Sequence, residues 1–252
     1  MHELNGKAAV ITGASRGIGA ATARELAGHG VAVLLAARSL GEIEAITAEI
    51  RGAGGRAAAV ACDVSRYGDV AAAVARCREA FGRLDILVNN AGVIEPIARL
   101  GDSDPEQWGR AADINYKGVY HGLRAAIPVM EAQGSGVIVN ISSGAATGAL
   151  EGWSHYSSAK AAALSLTRTA HGEYHGRGIR VIGLIPGTVD TGMQVAIKAS
   201  GLNRVSQLDP SVHKPADVPA RAIAWLCSED AAEFSGTDVS LRDEHIRRRA
   251  GL

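Results

Sequence analysis

The chain has 252 residues, enough for one large α/β domain with a substantial core, and its 26 basic and 26 acidic side chains cancel, which argues against nucleic-acid binding as its main role. Three scattered cysteines are too few for a disulfide framework or a zinc site and suit a reducing compartment. A strand-like stretch begins at Ala8, leaving no room for a signal peptide, and the apolar run of residues 31–37 is too short to span a bilayer, so we expect a cytoplasmic protein that does not bind membranes.

Short apolar runs alternate with alanine-rich stretches of helical spacing along the chain. The runs are apolar on both faces, as in a parallel sheet covered by helices on each side. The alternation predicts a single doubly wound, Rossmann-type α/β domain over residues 1–252, with a mostly parallel seven-stranded sheet. The predicted strands are Ala8–Thr12, Val31–Ala37, Ala57–Cys62, Ile86–Asn89, Val137–Ile141, Arg180–Ile185 and Thr237–Leu241. The predicted helices include Ile18–Gly28, Ser39–Gly52, Val70–Phe81, Asp104–Met130 and Trp153–His175.

Prolines mark the limits of two segments. Pro105 is expected in the first turn of a helix capped by Ser103 or Asp104, and Pro128 is expected to kink or end that helix. The irregular stretch from Gly187 to about Pro215 is long for a compact fold and predicts a substrate lid.

A glycine-rich loop over residues 12–19 follows the first predicted strand and opens the first helix. Gly13 permits a tight turn, Gly17 lets a ligand approach the backbone, and Gly19 allows close helix–sheet packing. Free N–H groups at the start of the helix would then face a pyrophosphate. Such a trio can also be a simple turn, but the flanking strand and helix are the context that dinucleotide binding needs. Ser15, Arg16 and Ile18 complete the predicted contact loop.

The end of the second strand should lie near the adenosine ribose, where a carboxylate would bind the 2′-OH and repel a 2′-phosphate. This chain has Arg38 there and Arg16 in the glycine loop. Two guanidinium groups without a carboxylate favour NADP(H), with NAD(H) still possible. Alternatively, Arg38 merely solvates the end of the strand.

Polar residues also end the third and fourth strands, on the edge where ligands collect in an open sheet. Asp63 could accept a hydrogen bond from an adenine amino group, and Val64 could pack on the ring. The stretch of residues 89–92 ends the fourth strand. Either set of residues could instead simply form the turn that follows its strand.

Tyr156 and Lys160 stand four residues apart in a predicted helix, about 6 Å along its axis, and therefore share one face. A free phenol has a pKa of about 10, but a neighbouring cation favours the phenolate and lowers that pKa. Ser143 could hold a carbonyl oxygen while the phenol protonates it. These groups can interconvert an alcohol and a carbonyl, although Tyr and Lys at this spacing also occur as a solvated helical pair.

In order and spacing, these motifs resemble the short-chain dehydrogenase/reductase family from Lys7 to about Leu241. The resemblance rests on residues 12–19, Asp63, residues 89–92, Asn115, Ser143, Tyr156, Lys160 and Pro186-Gly187. It implies an NAD(P)-dependent oxidoreductase of small alcohols and carbonyl compounds. It also implies a homotetramer or homodimer packed through the helices predicted over Asp104–Met130 and Trp153–His175.

The resemblance implies a role for each matched residue. Tyr156 would be the general acid in reduction and the general base in oxidation, with Lys160 lowering its pKa and binding the nicotinamide ribose. Ser143, rather than Ser142, would orient the substrate oxygen. Asn115 would anchor a water that links Lys160 to solvent; on its own it would be interpreted as a polar residue that bends its helix. The other implied cofactor contacts are Asn90, Ala91, Gly92, Pro186, Gly187, Val189 and Thr191.

Two places depart from the family pattern. Ile182 stands where many relatives have asparagine, which we expect to alter only local hydrogen bonding. The C-terminus carries the arginine run of residues 247–249 and lacks the aspartate-glycine-glycine turn of many relatives. Their subunit contacts and pocket closure therefore do not transfer directly, and the run predicts a solvated tail.

The substrate pocket is expected to draw on the segment from Gly187 to Pro215 and on residues near the catalytic group. The expected residues are Ile94, Glu95, Ala145, Leu150, Trp153 and Met193. This mixture of apolar and acidic groups selects no particular substrate.

Three other interpretations stay open. Residues 13–17 also spell the G-x-S-x-G elbow of a serine hydrolase, with Ser15 as nucleophile, although only one strand precedes it. His171 and His175 lie four apart on a helix but lack the glutamate that a zinc protease has directly after its first histidine, so we expect no metal. The third is a non-catalytic NADP(H) sensor of the same fold.

Overall fold

The computed structural model describes residues 2–252 and shows a seven-stranded sheet in which every strand pair is parallel. The strands are β1 (Ala8–Thr12), β2 (Ala32–Ala37), β3 (Ala57–Ala61), β4 (Ile86–Asn89), β5 (Gly136–Ile141), β6 (Ile179–Ile185) and β7 (Asp238–Ser240). Their spatial order is β3-β2-β1-β4-β5-β6-β7, so the winding direction reverses between β1 and β4. The predicted doubly wound α/β fold is confirmed, and a ligand crevice is expected at this reversal.

Nine α-helices of the described chain surround the sheet. They are α1 (Gly17–Gly28), α2 (Leu40–Gly52), α3 (Tyr67–Phe81), α4 (Pro105–Ala112), α5 (Gly118–Gln133), α6 (Ser154–Tyr174), α7 (Gly192–Ser200), α8 (Asp217–Leu226) and α9 (Glu244–Arg249). One buried apolar cluster joins the sheet to α1, α2, α8 and α9, and a second joins it to α3, α5 and α6. Both faces of the strands are therefore buried, which explains their continuous apolar runs. No helix among the described residues combines the length and apolarity needed to cross a bilayer.

The predicted strand limits hold to within one or two residues. β1 and β4 match the prediction, whereas β2 begins at Ala32, one residue later than predicted. β7 covers only Asp238–Ser240 and pairs with β6 alone, as expected of a short edge strand.

The long helix predicted over Asp104–Met130 is interrupted. Asp104 caps α4 by accepting a hydrogen bond from the Gln107 amide at 2.8 Å, and a π-helical turn over Asp113–Lys117 separates α4 from α5. Of the two expectations for Pro128, a kink or the end of the helix, the second is wrong, because helix α5 continues through Pro128 to Gln133. Burial of the neighbouring Ile127 and Met130 against the sheet stabilises the helix despite the missing N–H group.

The segment predicted as irregular contains helix α7 and a short 3₁₀ turn over Pro210–Val212. Its two ends are tied together by backbone hydrogen bonds. The Asp190 amide donates to the Lys214 carbonyl at 2.8 Å, and the Lys214 amide donates to the Thr188 carbonyl at 3.0 Å. We call this pair of bonds the clasp. The segment is thus a closed excursion from the sheet with helical structure of its own.

Candidate active site

Tyr156 and Lys160 lie on one buried face of α6, one turn apart. The Lys160 ammonium is 5.5 Å from the centre of the Tyr156 ring, and the two residues are only 9% and 4% exposed. The ammonium donates a hydrogen bond to the Ile141 carbonyl at the end of β5. The predicted shared face is therefore present, and the sheet edge holds it in place.

Burial acts on these two groups in opposite directions. It raises the pKa of the Tyr156 phenol above its ordinary value, while a hydrogen bond with Ser143 lowers it in part. It lowers the pKa of Lys160 to about 8, and the charge of Asp238 opposes this fall. The sequence predicts a lowered phenol pKa from the nearby ammonium; in the structure, burial instead raises this pKa because it disfavours the phenolate.

Two adjacent serines follow β5, and their side chains have different partners. The Ser143 hydroxyl accepts a hydrogen bond from the Ala145 amide at 3.1 Å and interacts with Tyr156. The Ser142 hydroxyl donates instead to the Asp238 carboxylate. This division agrees with the choice of Ser143 as the group that orients a substrate.

Asn115 lies in the π-helical turn and is fully buried. Its amide oxygen accepts from the Val93 N–H and its amide nitrogen donates to the Val93 carbonyl, both at 2.8 Å. Asn115 thereby fixes the loop after β4 to the start of α5. This clamp supports a structural role for the side chain, and the predicted water relay to Lys160 stays a prediction.

The glycine loop forms a close-packed cradle at the start of α1. Gly13 has φ of +63°, and a Cβ there would lie 2.8 Å from the Ala91 Cα. A Cβ at Gly19 would lie 2.4 Å from the Gly13 carbonyl oxygen. Asn90 donates its side-chain amide to the Thr12 and Gly13 carbonyls at 2.9 and 3.1 Å, so it supports the loop directly. Only glycine fits these positions, as a dinucleotide-binding loop requires.

At the ends of β2 and β3, charged groups surround the proposed adenosine position. Burial raises the pKa of Asp63, but hydrogen bonds from Ser65 and the charges of Arg38 and Arg66 outweigh it and leave that pKa below its ordinary value. Glu42, in the first turn of α2, lines the same cavity as Arg38. The sequence interpretation of this end as free of carboxylates was therefore incomplete. Glu42 follows Arg38 by four residues at the start of a predicted helix, and this short separation indicates that its carboxylate lies near the end of β2.

A cavity of about 690 Å³ opens at the carboxyl edge of the sheet and brings most of the predicted site together. Gly19 and Asn115 support its walls from behind, whereas the other predicted residues line it. The lining residues are Gly13, Ser15, Arg16, Gly17, Ile18, Arg38, Asp63, Val64, Asn90, Ala91, Gly92, Ser143, Tyr156, Lys160, Pro186, Gly187, Val189 and Thr191.

An apolar wall adjoins Tyr156 in this cavity. Five of the six predicted pocket residues belong to one hydrophobic cluster with Tyr156, namely Ile94, Ala145, Leu150, Trp153 and Met193. Glu95 is exposed and lines the cavity. Sequence reasoning missed Ile197 and Val205 in the same cluster. They lie within the segment predicted as irregular, where without a predicted helix the sequence does not indicate which side chains point into the cavity.

The structure gives little support to the hydrolase and zinc interpretations. Ser15 lines the cavity together with the rest of the glycine loop, and no histidine of the described residues lines that cavity. The His171 and His175 rings pack against each other with centres 4.6 Å apart. Within the described chain, no group of three or more histidine, cysteine, aspartate or glutamate side chains is arranged to hold a metal ion.

Comparison with known proteins identifies the family. The family model described as short chain dehydrogenase matches residues 7–201. The chain belongs to the short-chain dehydrogenase/reductase family. It is therefore an oxidoreductase of alcohols and carbonyl compounds, and members of this family use a nicotinamide dinucleotide.

Individual relatives of this short-chain dehydrogenase/reductase cover nearly all of its length. It is 41% identical over 230 residues to cis-4-hydroxycyclohexanecarboxylate dehydrogenase of Sinomonas cyclohexanicum, covering 90% of this chain and 91% of that protein. It is 39% identical to 3beta-hydroxysteroid dehydrogenase 1 of Eggerthella lenta, covering 94% of this chain and 92% of the relative. The crystal structure of levodione reductase superposes with a TM-score of 0.88 at 29% identity, covering 94% of this chain and 96% of that chain.

Proposed function

We propose that this protein interconverts a ketone and a secondary alcohol with NADP(H), using Tyr156 as general acid and base. The observation that carries the proposal is the buried Tyr156 phenol, which has Lys160 on one side, Ser143 as hydrogen-bond partner and an apolar cavity wall beside it. A neutral phenol can donate a proton to a carbonyl oxygen, and Ser143 can hold that oxygen in place.

The residues of the cavity fit a nicotinamide dinucleotide. The glycine cradle and the open N-terminus of α1 suit its pyrophosphate, Asp63 and Val64 suit the adenine, and residues 186–191 suit the nicotinamide. When bound, the cofactor supplies or accepts the hydride. Lys160 binds its ribose, keeps a positive charge beside the phenol and holds the end of β5.

The preference for NADP(H) rests on two arginines. Arg16 and Arg38 line the cavity, and neither forms an ion pair with another described residue. Both guanidinium groups are thus available to a 2′-phosphate. The exposed Glu42 carboxylate works against this preference, and NAD(H) is the alternative cofactor.

The substrate that suits the cavity is a ketone or secondary alcohol on an alicyclic ring. The wall of Ile94, Trp153, Ile197 and their neighbours offers a broad apolar surface beside the phenol. The names of the two relatives above place the reacting hydroxyl on a cyclohexane ring and on a steroid. In an assay that follows NADPH absorbance, cyclohexanones should show higher kcat/KM than open-chain ketones of equal carbon number. Equal values would contradict the ring preference.

Replacement of the catalytic phenol tests the proposed chemistry. Tyr156→Phe should lose at least about 100-fold in kcat, the contribution typical of general acid–base catalysis, while NADPH still binds. The matched control is Tyr67→Phe, because Tyr67 is 40% exposed and outside the cavity lining. Parent activity in Tyr156→Phe would refute the role of Tyr156. No turnover by the parent on a broad panel, with tight NADPH binding, would favour the sensor.

The proposal includes a cytoplasmic, oligomeric enzyme. The three cysteines are buried and free, as a reducing compartment permits. The α4–α5 surface exposes Tyr116 and Tyr120, which are 41% and 48% accessible in the single chain. Exposed aromatic residues of this kind suit packing against a second copy.

A further inference from the structure

The Asp238 carboxylate on β7 reaches across a neighbouring strand. It accepts a hydrogen bond from the Ser142 hydroxyl, which follows β5, although β6 lies between these two strands. The register pairs Asp238 with Gly183 on β6, and Gly183 with Asn140 on β5. A Cβ at Gly183 would lie 1.6 Å from the Asp238 Oδ1 atom. The missing side chain of Gly183 therefore makes the room in which the carboxylate crosses.

The residue that Asp238 holds is directly connected to the active site. Ser142 lies between Ile141 and Ser143 in the chain. The carbonyl of Ile141 accepts a hydrogen bond from the Lys160 ammonium. The carboxylate and the ammonium are thus bonded to consecutive residues of one chain segment. The Asp238 Oδ1 atom is buried and has no hydrogen-bond partner in the described structure, so one carboxylate oxygen is left to act through its charge.

The charged groups around Asp238 are few. Helix α6 contributes Lys160 and the exposed Arg168, and both interact electrostatically with Asp238. Tyr156 lies on the same helix beside Lys160. The facing positions of β5 and β6 are neutral, namely Asn140, Ser142 and Gly183. Burial raises the pKa of Asp238, while Ser142, Arg168 and Lys160 lower it.

We propose that Asp238 is a positioning residue of the active site, which anchors the end of β5 through Ser142 and places a negative charge beside the segment that holds the Lys160 ammonium. The inference rests on the proposed function, in which that ammonium serves Tyr156 and the cofactor. Asp238 does not itself line the cavity, whereas Ser142 and Lys160 do, so Asp238 acts through these two residues.

The test compares the pH dependence of kcat/KM for ketone reduction in four proteins. Asp238→Asn removes the charge with little change of shape, and proton loss from Lys160 and Tyr156 becomes easier, so the alkaline limb should move to lower pH by about one unit. Arg168→Gln removes a positive charge and should move the limb to higher pH, by less because Arg168 is exposed. Ser142→Ala removes the hydrogen bond that anchors the end of β5. It should lower kcat/KM at all pH values and move the alkaline limb of the pH profile much less than Asp238→Asn does.

A second measurement works on the protein without cofactor or substrate. An NMR titration of the Lys160 side chain, assigned with Lys160→Met, should show its proton loss at lower pH in Asp238→Asn than in the parent. Coincident titrations or coincident pH profiles would overturn the proposal. If Asp238→Asn does not fold, Asp238→Ser replaces it in both measurements, because it also removes the carboxylate charge, and the same outcomes decide. Because the titration needs no turnover, it separates failure of this inference from failure of the assigned chemistry.

Discussion

At the scale of single residues, Tyr156 and Lys160 show how one buried helix face sets two protonation states. Burial raises the phenol pKa and lowers the ammonium pKa to about 8, because it disfavours the charged form of each group. The phenol is thus neutral at physiological pH, which is the form needed to protonate a carbonyl. Oxidation of an alcohol needs the phenolate and should therefore be favoured at higher pH.

The lowered pKa of Lys160 predicts how cofactor affinity depends on pH. Below about pH 8 the side chain is an ammonium, which under the proposed function donates to the ribose hydroxyls, and above that pH the charge is lost. The dissociation constant of NADPH, measured by quenching of tryptophan fluorescence, should therefore rise as the pH increases through this value. Lys160→Met should bind more weakly at neutral pH and show no such rise. A parent constant unchanged between pH 7 and 9.5 would contradict this assignment.

The residues with chemical roles were predictable to different degrees. The Tyr156–Lys160 pair and the glycine loop follow from local spacing, since one helix turn or one tight turn brings their groups together. Asp238 was not predictable, because its contact with Ser142 crosses two strand pairings and depends on the register of β6. The direction of the Tyr156 pKa was also missed, since burial is a property of the folded cavity.

At the scale of elements, glycine determines how closely a helix or strand can approach its neighbour. Gly122 of α5 packs directly on the Asn89 amide at the end of β4, and a Cβ there would lie 2.1 Å from Asn89 Oδ1. That amide is itself fixed, because it donates to Asn140 on β5 at 2.9 Å. The strand ends that carry the cofactor loops thus depend on the position of α5.

Two glycine substitutions separate this packing effect from helix propensity. Gly122→Ala should lower the free energy of unfolding by about 1–3 kcal/mol, because the inserted methyl group overpacks a buried site. Gly109→Ala in α4 is the matched control, since nothing lies within 4 Å of the added Cβ. It should raise that free energy by about 0.5–1 kcal/mol through helix propensity. Urea titration measures both values, and equal effects would refute the packing argument.

Most elements could be predicted from the sequence, and the exceptions have physical causes. The apolar strands and the alanine-rich helices are read from composition and period. The π-helical turn over Asp113–Lys117 was missed because its register is set by the two hydrogen bonds between Asn115 and the Val93 backbone. Helix α7 was missed because glycines and prolines flank it closely.

At the scale of the whole molecule, the cavity joins groups from most of the sheet edge, so cofactor binding should stabilise the entire fold. NADPH at 100 times its dissociation constant should add about 2.7 kcal/mol, or roughly 5–10 °C in Tm for a chain of this size. At equal concentration NADH should give a smaller rise, and Arg38→Gln should narrow the difference. Arg78→Gln, on α3 and outside the cavity lining, is the control. A larger rise with NADH would refute the arginine argument.

The clasp between Thr188, Asp190 and Lys214 separates the segment that faces the substrate from the sheet and helices that carry the catalytic groups. The segment between its ends leaves the sheet and returns to the same point, so insertions or exchanges there need not disturb helix α6, which carries Tyr156, or the strand that precedes the glycine loop. Beyond Thr191, substrate range can therefore diverge in this region while proton transfer and the contacts of the glycine loop with the cofactor are inherited intact. A protein engineer would find in it a natural boundary for grafting a foreign loop.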